Sequence, residues 1–140
     1  MRSLVLVALV ACGGKHTDPP PDNRTLFERL GGQPAINAVV HEFVQTTKAD
    51  PRISQFFANA DSAKLEASMD VHICSITGGG CTYTGKSMLD AHTGMHLPDD
   101  AFTAFMDDLT KTLAHFKVPK REAMEVIGAF NGMKPDVVNH

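Results

Sequence analysis

His92 closes the stretch Gly79-Gly80-Cys81-Thr82-Tyr83-Thr84-Gly85-Lys86-Ser87-Met88-Leu89-Asp90-Ala91-His92, a glycine-broken loop that runs into a short apolar turn. Upstream stands Phe56-Phe57, and a helical pattern separates the two. An imidazole delivered opposite an aromatic pair suits a flat apolar metal cofactor better than a hydrolytic site. His96 follows one helical turn later, which on a continuous helix would give a two-histidine metal face. Thr93 stands where a zinc hydrolase of that type carries its glutamate, Gly94 weakens the helix, and no third ligand is evident. Five histidines remain of the seven. His16 and His140 lie in terminal segments, His41 and His115 on mixed helical faces, and all four read as solvated. His72 lies one turn after Met69 and could border a pocket. Cys74 and Cys81 flank Ser75–Gly80, a spacing that excludes CxxC redox and zinc signatures. A disulfide closing that loop and two free thiols are both open, because the sequence does not set the Cα separation.

The elements that must position these groups read as helices, since no segment sustains period-two alternation. Thr25-Leu26-Phe27-Glu28 has the capping-box form, and Gly31-Gly32 stops the short helix it opens. Pro34 suits the first turn of a longer helix that places Ile36, Val39, Val40, Phe43 and Thr47 on one stripe, with Val44 beside it. Asp50-Pro51 breaks it, and a short turn carries Ile53, Phe56 and Phe57. Asp61-Ser62 caps a third helix, with Leu65, Met69, Ile73 and Ile76 inward, which Gly78-Gly79-Gly80 ends. Pro98-Asp99-Asp100 opens the helix of Phe102, Phe105, Met106, Leu109, Leu113 and Phe116. Val118-Pro119 starts the last, which bears Ala123, Val126, Ile127 and Phe130 and ends at Asn131-Gly132.

With 140 residues, 43% of them hydrophobic, the chain has room for one globular domain. A formal net charge of -3 and no basic run longer than Pro119-Lys120-Arg121 give no electrostatic case for nucleic acid. The eight phenylalanines, against one tyrosine and no tryptophan, supply nearly all the aromatic bulk. Residues 1–11 read as a signal peptide. Arg2 precedes the apolar run Leu4–Val10, which is too short to span a membrane. Leu9-Val10-Ala11-Cys12 resembles the bacterial lipobox, in which Cys12 would be acylated; the alternatives are an ordinary secretory signal or a wrongly placed start. Residues 12–24, with Pro19-Pro20-Pro21, read as a tether, residues 25–132 as the domain and residues 133–140 as a C-terminal tail. The expected location is outside the cytoplasm, lipid-anchored to a bacterial membrane. The outer membrane is favoured because Gly13-Gly14 replaces the aspartate that often signals inner-membrane retention. The domain would face the periplasm or the exterior.

The chain resembles the truncated haemoglobins, group I in particular. The resemblance runs from Thr25 to about Asn131 and rests on Leu26-Phe27-Glu28-Arg29-Leu30-Gly31-Gly32, Phe43, Asp50, Phe56-Phe57, Leu65, Gly78-Gly79, Tyr83-Thr84-Gly85, Met88, His92 and Phe102 in that order. It implies an all-α, abbreviated globin-like 2-over-2 helical sandwich that holds haem b (iron protoporphyrin IX). His92 would be the proximal iron ligand and Phe57 would pack on the porphyrin. The Tyr83 hydroxyl would reach the haem edge, with Lys64 a further partner for a propionate. Met88, Leu97, Phe102 and Phe105 would line the proximal and lower pocket, and Phe43, Val44, Leu65, Met69 and His72 the distal side.

The distal residues depart from the family pattern. Val44 replaces the tyrosine that usually follows the helix phenylalanine, and Met69 stands where glutamine is often found. No hydroxyl or amide is in evidence to hydrogen-bond a bound gas, so weak oxygen retention and poor discrimination against CO are expected. Reversible binding of oxygen or another diatomic gas (CO, NO) is therefore expected over enzymatic turnover. Peroxidase chemistry wants a distal acid–base group, and NO dioxygenation wants a stable oxygenated form and a reductase. The other alternative is a His–Met electron-transfer or gas-sensing module with Met69 as sixth ligand. The sequence names no electron donor.

Overall fold

The computed structural model describes residues 22–140. The signal peptide 1–11, the lipidation at Cys12 and nearly all of the tether 12–24 lie outside the described residues. Among those described, every regular element is helical. The Thr25 hydroxyl accepts from Glu28 N while Thr25 N donates to the Glu28 carboxylate at 2.8 Å, and this box opens α1 (Leu26–Arg29). Gly31, at φ 101°, turns the chain directly into α2 (Gly32–Ala49), a conformation that L side chains rarely adopt. Helix α2 buries Ile36, Val40, Phe43, Val44 and Thr47. The polar member of that stripe is satisfied internally, since the Thr47 hydroxyl donates to the Phe43 carbonyl.

A 3₁₀ turn at Ser54–Phe57 presents Phe56 and Phe57, and Ile53 before it is buried. Asp61 caps α3 (Ser62–Ile76) by accepting from Lys64 N at 3.2 Å. The ammonium of Lys48 donates to Ala60 O and Ser62 Oγ, tying the end of α2 to the start of α3. After the loop, Ser87 caps α4 (Met88–His92) by accepting from Asp90 N. Helix α5 (Asp99–His115) starts after Pro98 with two acids in its first turn, where the helix dipole favours them. Helix α6 (Lys120–Gly132) follows Pro119.

The long helices pack as two pairs, α2 on α3 and α5 on α6, with α2 also against α5. This is the two-over-two helical sandwich. Its main core joins Val40, Phe43, Ile73, Leu109, Leu113, Val126 and Phe130, and a smaller cluster gathers around Ile53, Ala101 and Ala104. Arg29 forks to Glu122 and Glu125, both at 2.6 Å, and clamps α1 to α6. None of the described helices is long and apolar enough to cross a membrane.

Residues 133–140, expected as a tail, instead carry a further helix, α7 (Lys134–Val137). Pro135 suits the first turn of a new helix, so the chain restarts after a break at Met133. Helix α7 packs on α4, and Asn139 N and the His140 carbonyl bond to Leu97 O and His96 N, at 2.9 and 2.8 Å.

Candidate functional site

A cleft of about 320 Å³, lined mainly by apolar side chains, opens between the helix pairs. Helix α3 contributes Leu65, Met69 and His72 to one wall, and α4 contributes Met88, Ala91 and His92 to another. Phe102 and Phe105 from α5 and Phe130 from α6 form the floor. Phe56 and Phe57 enter from the 3₁₀ turn, and Tyr83 from the loop before α4.

His92 ends the single turn of α4, with its imidazole half-buried. Its Nδ1 lies 2.7 Å from the Met88 carbonyl, which can only accept, so Nδ1 carries the proton and donates. The remaining ring nitrogen, Nε2, is then unprotonated and holds a free lone pair. A metal ligand is commonly oriented this way by a hydrogen bond from its far nitrogen. The local sequence enforces the pairing, because residues four apart on a helix face one another. Helix α4 stops at His92 and Gly94 takes a left-handed φ of 86°, so His96 does not share a helical face with His92. No cluster of three or more potential metal-ligating His, Cys, Asp or Glu side chains is present among the described residues.

Three residues expected on the pocket do not line it. Phe43 is 1% exposed and stands edge-on to Phe105 with ring centroids 4.8 Å apart, so it backs the lining. Val44, also 1% exposed, is turned into the main core. Leu97 packs instead on the cluster of Ile53, Ala101 and Ala104. Lys64 is exposed on α3 and away from the cleft. Phe57, Leu65, Met69, His72, Tyr83, Met88, Phe102 and Phe105 all lie on it.

Several lining residues were not anticipated. Ser68 sits on α3 just before Met69 and brings a hydroxyl to the mouth. Met95 follows α4, while Met133 and Val137 arrive with α7. The apolar spacing of Met133 and Val137, one turn apart, is the signal that could have found them. With Met69 and Met88, four thioethers face one cleft, a soft and adaptable lining.

The His72 imidazole packs against the Tyr83 ring at a centroid distance of 4.8 Å, and burial pushes its pKa below the usual histidine value. The Tyr83 hydroxyl donates to the Lys86 carbonyl at 2.9 Å. Cys74 and Cys81 form a disulfide, with Cα atoms 5.7 Å apart.

The profile of the bacterial-like globin family matches residues 25–139. A group 1 truncated haemoglobin of Tetrahymena thermophila is 35% identical over 106 residues, 74% of this chain and 88% of the relative. The group 1 truncated haemoglobin GlbN of Synechocystis is 34% identical over 121 residues, 82% of this chain and 98% of the relative. The chain belongs to the group 1 truncated haemoglobins. The crystal structure of the truncated haemoglobin from Tetrahymena pyriformis in its Fe(III) form superposes with a TM-score of 0.80 at 30% identity, covering 84% of this chain and all of that one. The Synechococcus 2/2 haemoglobin, in the cyanomet state with covalently attached haem, gives 0.79 at 30% identity over the same shares.

The cleft of this truncated haemoglobin fits the haem that its family implies. Its volume lies in the range of cofactor sites, about 300–1,000 Å³. Its walls are largely apolar, and His92 offers an unprotonated nitrogen with its far nitrogen already satisfied.

Proposed function

We propose that this chain holds haem b, with His92 Nε2 as the proximal ligand, and reversibly binds oxygen or another diatomic gas. The observation that carries the reading is the 2.7 Å bond from His92 Nδ1 to the Met88 carbonyl inside an apolar cleft. Haem would supply an iron that accepts a neutral imidazole on one side and a diatomic gas on the other. The chain's own residues do the rest. Met88 fixes the His92 tautomer and ring orientation. Phe57, Phe102 and Phe105 offer ring surfaces for the macrocycle and exclude water. Leu65 and Met69 leave the gas side without a hydroxyl or amide donor, and Ser68 reaches only the mouth. A gas that develops negative charge therefore gains little stabilisation there, whereas neutral CO loses little.

The test is a titration of the haem-free chain followed by quenching of its single tyrosine, Tyr83, which stands on the cleft. One equivalent of haem should saturate the quenching. Absence of saturable uptake would defeat the proposal.

A second reading uses Met69, whose thioether lines the cleft from α3, as a sixth ligand in an electron-transfer or sensing module. A six-coordinate, low-spin ferrous spectrum without added ligand would favour it. The Leu9-Val10-Ala11-Cys12 segment supports export and acylation at Cys12, and the Cys74–Cys81 disulfide is in keeping with an oxidising compartment. An intact-mass measurement on membrane-extracted protein should show an acylated Cys12 as the first residue. A free amino-terminal Met1 would refute this.

A further inference from the structure

The loop between α3 and α4 is held at very few points. At its start, Gly79 N donates to Cys74 O at 2.8 Å, and Thr77 O accepts from Phe27 N at 2.9 Å. Gly79 is packed so closely that a Cβ there would meet the Phe27 ring at 2.5 Å and Cys74 Sγ at 2.6 Å. Beyond this point the anchoring thins. No hydrogen bond between backbone groups ties the Gly80–Lys86 stretch to another part of the described residues. The Tyr83 hydroxyl bond to Lys86 O is internal to the stretch. Two attachments remain, the Cys74–Cys81 disulfide and the packing of the Tyr83 ring on His72. Both Tyr83 and His72 line the cleft, and the helix that ends in His92 begins directly after the loop.

We propose that the Cys74–Cys81 disulfide is a redox-responsive strap that holds Tyr83 against His72 and thereby closes one edge of the haem cleft; this rests on the haem reading above. A dithiol reductant opens it in two steps. A thiolate of the reductant attacks Sγ of Cys81, the half-buried sulfur, and the Cys74 thiolate leaves and takes up a proton. The second thiol of the reductant then displaces Cys81 as a thiol and closes the reductant's own disulfide, which accounts for both electrons. Cys74 is fully buried and stays in place at the end of α3. Cys81 is freed, and with it the only covalent restraint on the Tyr83 loop. The open loop exchanges the ring contact for solvent, and haem escapes faster past the edge that Tyr83 had covered.

The experiment uses the full chain loaded with haem, with and without dithiothreitol, beside Cys81→Ser and Tyr83→Ala variants. Lys86 is the only lysine or arginine between Lys64 and Lys111, so trypsin cleavage after it reads the loop and little else. Haem transfer to an excess of a haem-free acceptor globin reads the cleft. Reduction should speed both, haem transfer by about threefold to tenfold, the size of one lost aromatic contact. Cys81→Ser should behave as the reduced chain does, and Tyr83→Ala should lose haem quickly whether reduced or not. Unchanged cleavage at Lys86 on reduction would overturn the strap. Faster cleavage with unchanged haem transfer would overturn its control of the cleft. A chain that takes up no haem would defeat the underlying reading and the gating together, while cleavage at Lys86 would still report whether the strap holds the loop.

Discussion

Met69→Gln is the substitution that probes the gas side most cleanly. Met69 lines the cleft from α3, one turn from Leu65, and is half-buried, so a glutamine of similar length fits without overpacking. Its amide would be the first donor placed there on the cleft wall rather than at the mouth. A hydrogen bond to a ligand bearing partial negative charge is worth about 1–3 kcal/mol. That slows dissociation about fivefold to 150-fold. CO, neutral and apolar, should leave at nearly its original rate. The assay is stopped-flow displacement of oxygen by CO, and of CO by NO, on the ferrous protein. An unaltered oxygen rate would refute the account of the gas side. Equal slowing of both gases would also refute it, since that marks a steric barrier and not a hydrogen bond. Val44→Tyr is a poorer probe than sequence alone suggests, because Val44 is 1% exposed and a larger ring there must displace core.

Three further outcomes follow from the packing. Phe43→Ala removes a buried ring that supports Phe105 and should cost about 3–5 kcal/mol in urea unfolding, with a loss under about 1 kcal/mol contradicting its core role. Gly79→Ala pushes a Cβ into Phe27 and Cys74 Sγ and should cost about 1–3 kcal/mol; an unchanged midpoint would show that the turn has room. Burial lowers the His72 pKa below its ordinary value of 6.5, so the unfolded chain binds the proton more readily, and stability should be full above that pH and decline as pH falls through it. His72→Gln should flatten that decline in thermal midpoints, and parallel profiles for the two proteins would rule out His72 as its source.

The parts of this fold that were legible in sequence are those governed by local rules. The Thr25 box, the Asp61 cap and the Phe102–Phe105–Leu109–Leu113 stripe each depend on neighbours within a turn or two. What escaped depends on long-range packing. Asn131-Gly132 reads as a stop, yet α7 forms beyond it because α4 offers a surface to pack on. Val44 and Phe43 lie on a helix buried on more than one side, and sequence order does not say which neighbour faces the cleft and which the core. Leu97 follows the same logic, drawn to the Ile53 cluster by the turn before α5. His92 was legible through its setting, but its tautomer became clear only from the distance to the Met88 carbonyl.

The central claim is that His92 Nε2 holds the haem iron, and it is tested most directly by absorption spectra of the haem-loaded chain from Thr17 onward beside His92→Ala. The account predicts a five-coordinate ferrous spectrum that converts fully with CO in the parent and is lost or shifted in the variant. Identical ferrous and CO spectra for the two proteins would contradict it and assign the iron to another ligand.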